Sequence, residues 1–272
     1  MIEHSRGRRG PNGQRDEVSS TERAPATDEL ARRGFDNGPL YDAARPSYPL
    51  AALERLVAYA GLNTTTRALD LGAGTGIFTR QLLGYVGSLV AVEPSASMRA
   101  VLEATTPGVR VLDGRDVAIP APDESIDLVV VAQAFHWFDA PRALAEIHRV
   151  LVPAGALALI WNERDESVDW MARLSHAMRW DEFRPYASNT DFAAVVANGP
   201  FVDVEHHRFA HAPLMTHDQI VQRVLTTSYV SIMDDDARRE LVAAVRVVVD
   251  PLDEPVAFPY VTDLYTARRA PA

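Results

Sequence analysis

Residues 68–82 read ALDLGAGTGIFTRQL, in which Gly72, Gly74 and Gly76 alternate two residues behind Asp70. Alternating glycines directly after an apolar strand make a tight turn whose amides can approach a ligand closely. Dinucleotides, phosphates and other nucleoside cofactors are all held by such turns. The spacing here is G-x-G-x-G, and Ile77 stands where the dinucleotide fingerprint G-x-G-x-x-G needs its third glycine. A carboxylate at Asp70 would repel a pyrophosphate but can meet a cationic group. Glu93 ends the next apolar stretch, 21 residues after Gly72, where an acidic side chain accepts hydrogen bonds from ribose hydroxyls. The residues therefore ask for a cofactor with a nucleoside, a positive charge and no phosphates.

Strands and helices must position these groups. RALDL (67–71) reads as a short buried strand and GIFTRQLLGY as the helix after the turn. SLVAVE, VRVLDG (109–114), IDLVVVAQ (126–133) and GALALIWN (155–162) are further apolar strands. SASMRAVLEAT is a helix opened by Ser95, and DAPRALAEIHRVL a helix with Asp139 at its N-cap and Pro141 in its first turn. Continuous apolar strands alternating with helices predict a parallel sheet covered on both faces, with ligands at the carboxyl ends of the strands.

Upstream, Pro46 and Pro49 break the chain, and Leu50, Leu53, Leu56, Val57 and Ala60 then recur at helical spacing. After Asn162, SVDWMARLSHAMRWDEF predicts an amphipathic helix with Trp170, Leu174, Ala177 and Met178 on one face. FVDVEHHRFAHAPLM predicts a strand. Two helices follow, capped by Thr216 and by Asp234 or Asp235, and VAFPYVTDLYTARR predicts a last strand. The expected fold class is α/β: a doubly wound, mostly parallel seven-stranded Rossmann-like sheet with an N-terminal helical lid and a helical substrate cap. Residues 34–272 form one domain, with the lid helix in 34–62 and the cofactor-binding half in 64–163. Cap helices and the sixth strand occupy 164–250, and the final strand 255–269. Residues 1–33 are charged, rich in Gly, Pro and Ser, and read as a disordered tail.

Composition excludes several classes. A net charge of −10 argues against a nucleic-acid partner, because phosphate binding needs a basic face. No apolar run approaches the ~18 residues of a membrane span, and the first residues lack a signal-peptide core. With no cysteine there is no disulfide, thiol nucleophile or thiolate metal site. All 27 basic residues are arginine, which removes a Schiff-base lysine and a Walker-type P-loop. A cytoplasmic enzyme, monomeric or homodimeric, is the expectation.

Among nucleoside cofactors, S-adenosylmethionine meets the three demands of the turn. LDLGAGTG resembles the first motif of the class I S-adenosylmethionine-dependent methyltransferases, and VAVEPSASM their second. DGRDVAIPAPDESIDLVVVAQAFHWFD and EIHRVLVPAGALALI resemble the blocks that follow. YDAARPSYP and PYVTDLYTARR are similar to the small-molecule branch that includes the trans-aconitate methyltransferase type, so the likeness covers about residues 35–270. It implies backbone contacts from Gly72, Ala73 and Gly74, in a turn completed by Gly76, to the methionine part, which Asp70 orients through a water or the turn. Glu93 would hold the ribose, with Pro94 and Met98 against the adenine and Asp116 and the Val117 amide at its amino group. Gln133 would close over the methionine, and Tyr41 and Arg45 match lid positions touching cofactor or substrate. S-adenosyl-L-homocysteine is the implied product. Ala154 departs from the pattern, standing where a glycine is commoner.

His136, in AFHWFD after the fourth strand, reads either as a general base at the transferring methyl or as a structural histidine of the loop. Trp137 and Phe138 are expected on the pocket floor. His206, His207 and His211 lack a carboxylate partner at a metal-binding spacing, so no metal is expected. Arg45 is a candidate anchor for a carboxylate acceptor. Trp161, Trp170, Trp180, Tyr229 and Met233 favour an apolar or aromatic acceptor. The implied activity is methylation of an O or N atom, less readily a C atom, of a small molecule, with specialised metabolism as the expected setting. The alternatives are a catalytically inactive cofactor-binding partner protein and a macromolecule methyltransferase; AQAFHW replaces the N/D-P-P-Y/F motif common in nucleic-acid enzymes.

Overall fold

The computed structural model describes residues 38–180, 190–231 and 233–271. The expected tail (1–33) and residues 181–183 of the expected cap helix lie outside the described residues. Seven strands form the main sheet: β1 (Arg67–Leu71), β2 (Ser88–Val92), β3 (Arg110–Leu112), β4 (Ile126–Ala132), β5 (Leu151–Arg164), β6 (Phe201–His211) and β9 (Tyr260–Arg269). Their spatial order is β3-β2-β1-β4-β5-β9-β6. The first five run parallel, whereas β9 pairs antiparallel with both β5 and β6. The order reverses between β1 and β4, so the ends of β1, β2 and β4 open a crevice there.

Period-two side-chain alternation sends each strand to two cores. Leu69, Leu71, Leu157, Leu159 and Trp161 face one side, covered by α5 (Ala140–Val150) and α7 (Phe192–Ala197). Ala68, Leu128, Val130 and Ile160 face the other, covered by α2 (Leu50–Ala60) and α3 (Ile77–Leu82). Asp70 shares the face of Ala68 and meets α3. The expected caps are present: the Ser95 side chain accepts from the Met98 amide at the start of α4 (Ala96–Thr105), and Asp139 accepts from the Arg142 amide.

Three elements differ from the sequence reading. The lid stretch is two helices, α1 (Gly38–Ala44) and α2, because Pro46 and Pro49 separate them. Only α1 lies near the crevice; α2 buries Ala52, Leu53 and Leu56 in the sheet core. The stretch expected as cap helices does not all join the cap. α6 (Asp169–Ala177) joins the cap, but α7 packs Phe192 against Trp161, rings stacked at 4.3 Å. Trp161 is thus a core residue below the sheet rather than an acceptor contact. The helix after Thr216 breaks at Thr226–Thr227 into α8 (His217–Leu225) and α9 (Ser228–Ser231).

A second apolar core holds the cap: α6, α8 and α10 (Asp235–Val249), with the two-stranded ribbon β7 (Leu214–Met215) and β8 (Val256–Ala257), pack around Leu174, Ile220, Val245 and Phe258. Trp170 packs edge-on to Phe258 inside it, and Tyr229 donates its hydroxyl to the Met178 carbonyl. No described helix is long and apolar enough to cross a membrane.

Ala154 sits at φ +60°, a left-handed conformation that a Cβ disfavours. Ala154→Gly is therefore expected to stabilise the protein by about 0.5–1 kcal/mol, after the entropy glycine returns to the unfolded chain. Urea unfolding would read this, and an unchanged or lower midpoint would contradict it.

Candidate functional site

The crevice is a cavity of about 890 Å³, at the upper end of the range for small-molecule sites. The glycine turn forms its floor. Gly72, Gly74 and Gly76 have φ of +72°, +58° and +86°, all in the glycine region. A Cβ on Gly72 would stand 2.7 Å from the Ala134 Cβ, and one on Gly76 would strike Leu102 at 2.2 Å. One on Gly74 would meet no protein atom within 4 Å. Gly72, Ala73 and Gly74 line the cavity; Gly76 does not, and its bare backbone instead lets α3 approach α4.

Glu93 crosses the turn. Its carboxylate accepts from the Gly74 amide at 2.9 Å and the Ser95 amide at 2.8 Å, tying the β1 turn to the β2 turn. Burial raises its pKa, and these two amides oppose the rise. Expected as a ribose partner, Glu93 also organises the backbone around the ligand. Asp70 does not line the cavity but lies fully buried beneath it, accepting the Thr79 hydroxyl at 2.6 Å through Oδ2. Its Oδ1 has no hydrogen-bond partner among the described residues. Burial pushes its pKa up to about 7, against the Thr79 bond and with a smaller push from Glu93.

Pro94, Met98, Asp116 and Val117 line the same end. Asp116 accepts from the Asp139 amide at 3.0 Å, so it fixes a loop as well as facing the cavity. Gln133 lines the wall at φ +57°, a strained conformation worth on the order of 1 kcal/mol or more. Its side-chain amide donates to the Asn162 carbonyl, and its backbone N–H to Ile160 O, both at 2.9 Å. Trp137 and Phe138 line the cavity as expected, but His136 does not. Phe135, His136 and Trp137 form a 3₁₀ turn, whose successive side chains diverge by about 120°.

The lid side is held by charge. Asp42 on α1 pairs with Arg80 on α3 at 2.7 Å. Arg45 lies over the Tyr41 ring, 4.5 Å from its centroid, and donates to Thr226 O at 2.7 Å, joining α1 to the cap. Tyr41 and Arg45 both line the cavity. So do Tyr48, Asn162 and Arg223, which the sequence reading missed. Asn162 was legible as the polar end of its strand. Arg223 was legible as the one charge on the face of α8 that carries Ile220 and Val224.

Elsewhere, His206 pairs with Asp263 at 2.6 Å, and His207 with Glu205, which also pairs with Arg55. Among the described residues no group of three or more His, Cys, Asp or Glu could hold a metal.

The donor set fits the cofactor asked for by the motifs. Glu93 and Asp116 can accept from hydroxyl and amino groups. Gly74 leaves open space above the turn, and Asp70 keeps a buried acceptor unfilled.

A family model described as a methyltransferase domain matches residues 69–159. An uncharacterized methyltransferase of Mycobacterium tuberculosis is 38% identical over 189 residues, 70% of this chain and 74% of that protein. An uncharacterized methyltransferase-like protein of Schizosaccharomyces pombe is 32% identical over 203 residues, 74% of this chain and 79% of that one. In fold, the chain is similar to the YcgJ protein of Bacillus subtilis, with TM-score 0.54 and 19% identity over 82% of this chain and 100% of that one.

Proposed function

The chain belongs to the class I S-adenosylmethionine-dependent methyltransferases, and from that premise we propose that it methylates an O or N atom of a small metabolite or carboxylic acid. The observation carrying this reading is the shape of the cavity: one chamber runs from the glycine turn to Arg45 and Arg223, under α1 and the cap. Such a chamber suits a small acceptor beside the cofactor rather than a macromolecular strand.

S-adenosylmethionine supplies a methyl group already activated on a sulfonium. The chain's own residues are left to bind, align and exclude water. Gly72, Ala73 and Gly74 would carry the methionine part, Glu93 the ribose, and Pro94, Met98, Asp116 and Val117 the adenine. Gln133 and Asn162, bonded to each other, would hold the wall beside the reacting groups. Tyr41 and Arg45 would close the chamber from α1.

A base is required only for an acceptor that keeps its proton, and His136 takes no such part because the cavity wall there is Trp137. His136→Ala is expected to retain turnover within about tenfold of wild type, below the usual ~100-fold or greater contribution of a general base. Transfer of tritiated methyl from S-adenosylmethionine to a panel of anionic, neutral and cationic small molecules reads both points. Label appearing only in protein or RNA would overturn the small-molecule reading. A loss of more than about 100-fold in His136→Ala would restore the histidine as base.

A further inference from the structure

Three arginines gather where the cavity meets the cap, and no carboxylate among the described residues forms an ion pair with any of them. Arg45 on the lid side donates to Thr226 O, three residues beyond Arg223 on α8. Arg223, 8% exposed, donates to the Tyr260 hydroxyl at 3.1 Å. Tyr260 is the register partner of Arg164, whose guanidinium donates to Ser175 Oγ and lies 4.2 Å over the Trp180 ring. Arg45 Nε and one terminal nitrogen of Arg164 are buried with no hydrogen-bond partner among the described residues.

Each visible partner of the trio is neutral: a carbonyl, two hydroxyls and two rings. Burial, and next the nearby Arg223, lower the pKa of both Arg45 and Arg164 to about 10, against an opposing pull from neighbouring tyrosines and, at Arg164, from Glu166. Like charges in a dry site repel strongly, and buried guanidiniums left unpaired are costly. S-adenosylmethionine brings a single carboxylate, and with its own ammonium and sulfonium it leaves the three positive charges of the trio unbalanced.

We propose that Arg45, Arg223 and Arg164 form an oxyanion subsite that seats a carboxylate or phosphate group of the methyl acceptor. This rests on the methyltransferase reading of the same chamber. Arg45 and Arg223 face the cavity and make the direct contacts, while Arg164 stands behind Tyr260 as a positioning residue. An anion between them bridges α1 to α8, so acceptor binding also fastens the lid to the cap.

The test uses the full chain saturated with S-adenosylhomocysteine, at constant ionic strength, with inorganic phosphate and citrate as separate probes. Calorimetry and thermal unfolding are read together. Wild type is expected to bind at least one probe and to melt higher with it. Arg223→Gln should weaken that binding at least about tenfold, the scale of one charge-assisted bond. It should keep S-adenosylhomocysteine affinity within about threefold and melt no lower than wild type without probe, because it removes an unneutralised buried charge. A purely structural arginine would instead lower the melting temperature. Binding of citrate alone assigns a carboxylate, and binding of phosphate alone a phosphoryl group. The exposed substitution Arg239→Gln should bind as wild type. If Arg223→Gln does not fold, Arg164→Met carries the same comparison. Equal probe binding by wild type and variant, or no probe binding by wild type, overturns the subsite. Because S-adenosylhomocysteine binding is measured separately, its loss would instead count against the cofactor reading.

Discussion

Glu93→Ala is expected to lower affinity for S-adenosylhomocysteine by about 100-fold or more, since hydrogen bonds to a charged group contribute roughly 1.5–3 kcal/mol each. Glu93 is 8% exposed and its carboxylate spans the Gly74 and Ser95 amides, so its removal releases both turns at once. The ligand would lose its ribose anchor and the ordered backbone on either side of it. Glu93→Gln keeps the shape but only one acceptor oxygen, and an intermediate loss of about tenfold is expected. Calorimetric titration separates the three proteins. An affinity in Glu93→Ala within about threefold of wild type would contradict the assignment.

The second large effect is a pH dependence of stability in the ligand-free protein. Asp70 is fully buried, and its carboxyl is raised to about 7 from an ordinary 3.8. Between these values the folded form holds a proton that the unfolded chain has released. Stability therefore falls as pH rises through about 4 to 7, and the whole loss is present above the folded value. Three units correspond to a ceiling of about 4 kcal/mol. Glu93 and Asp116, also raised by burial, add in the same direction, while Asp127 and Glu146, lowered by their arginine partners, oppose it. The contribution of Asp70 is thus read as a difference. Asp70→Asn still accepts the Thr79 hydroxyl, and its unfolding free energy should exceed that of wild type more at about pH 8 than at about pH 4. Parallel curves for the two proteins would show that Asp70 is ionised in the fold.

The sequence carried much of this site because its chemistry is local. Asp70, Gly72, Gly74 and Glu93 lie on or just after two adjacent strands, and spacing alone brings them together. Ser95 and Asp139 were readable as caps for the same reason. What failed was long-range. The split of the lid follows from Pro46 and Pro49, both visible, but that α2 joins the sheet core depends on β5, β6 and β9 far along the chain. Apolar content makes Trp161 an expected acceptor contact and puts residues 192–197 within the expected cap, whereas strand alternation turns Trp161 below the sheet toward Phe192. His136 and Trp137 are neighbours, and only the 3₁₀ turn decides which faces the cavity. The arginine trio escaped because Arg45, Arg164 and Arg223 come from a lid, a strand end and a cap helix, with no motif joining them.

We infer that the G-x-G-x-G turn and Glu93 hold S-adenosylmethionine. Titration of the full chain with S-adenosylhomocysteine tests it most directly. One site per chain with a Kd of roughly micromolar is expected, weakened about 100-fold or more in Glu93→Ala. Absence of saturable binding to the folded wild-type protein would contradict it.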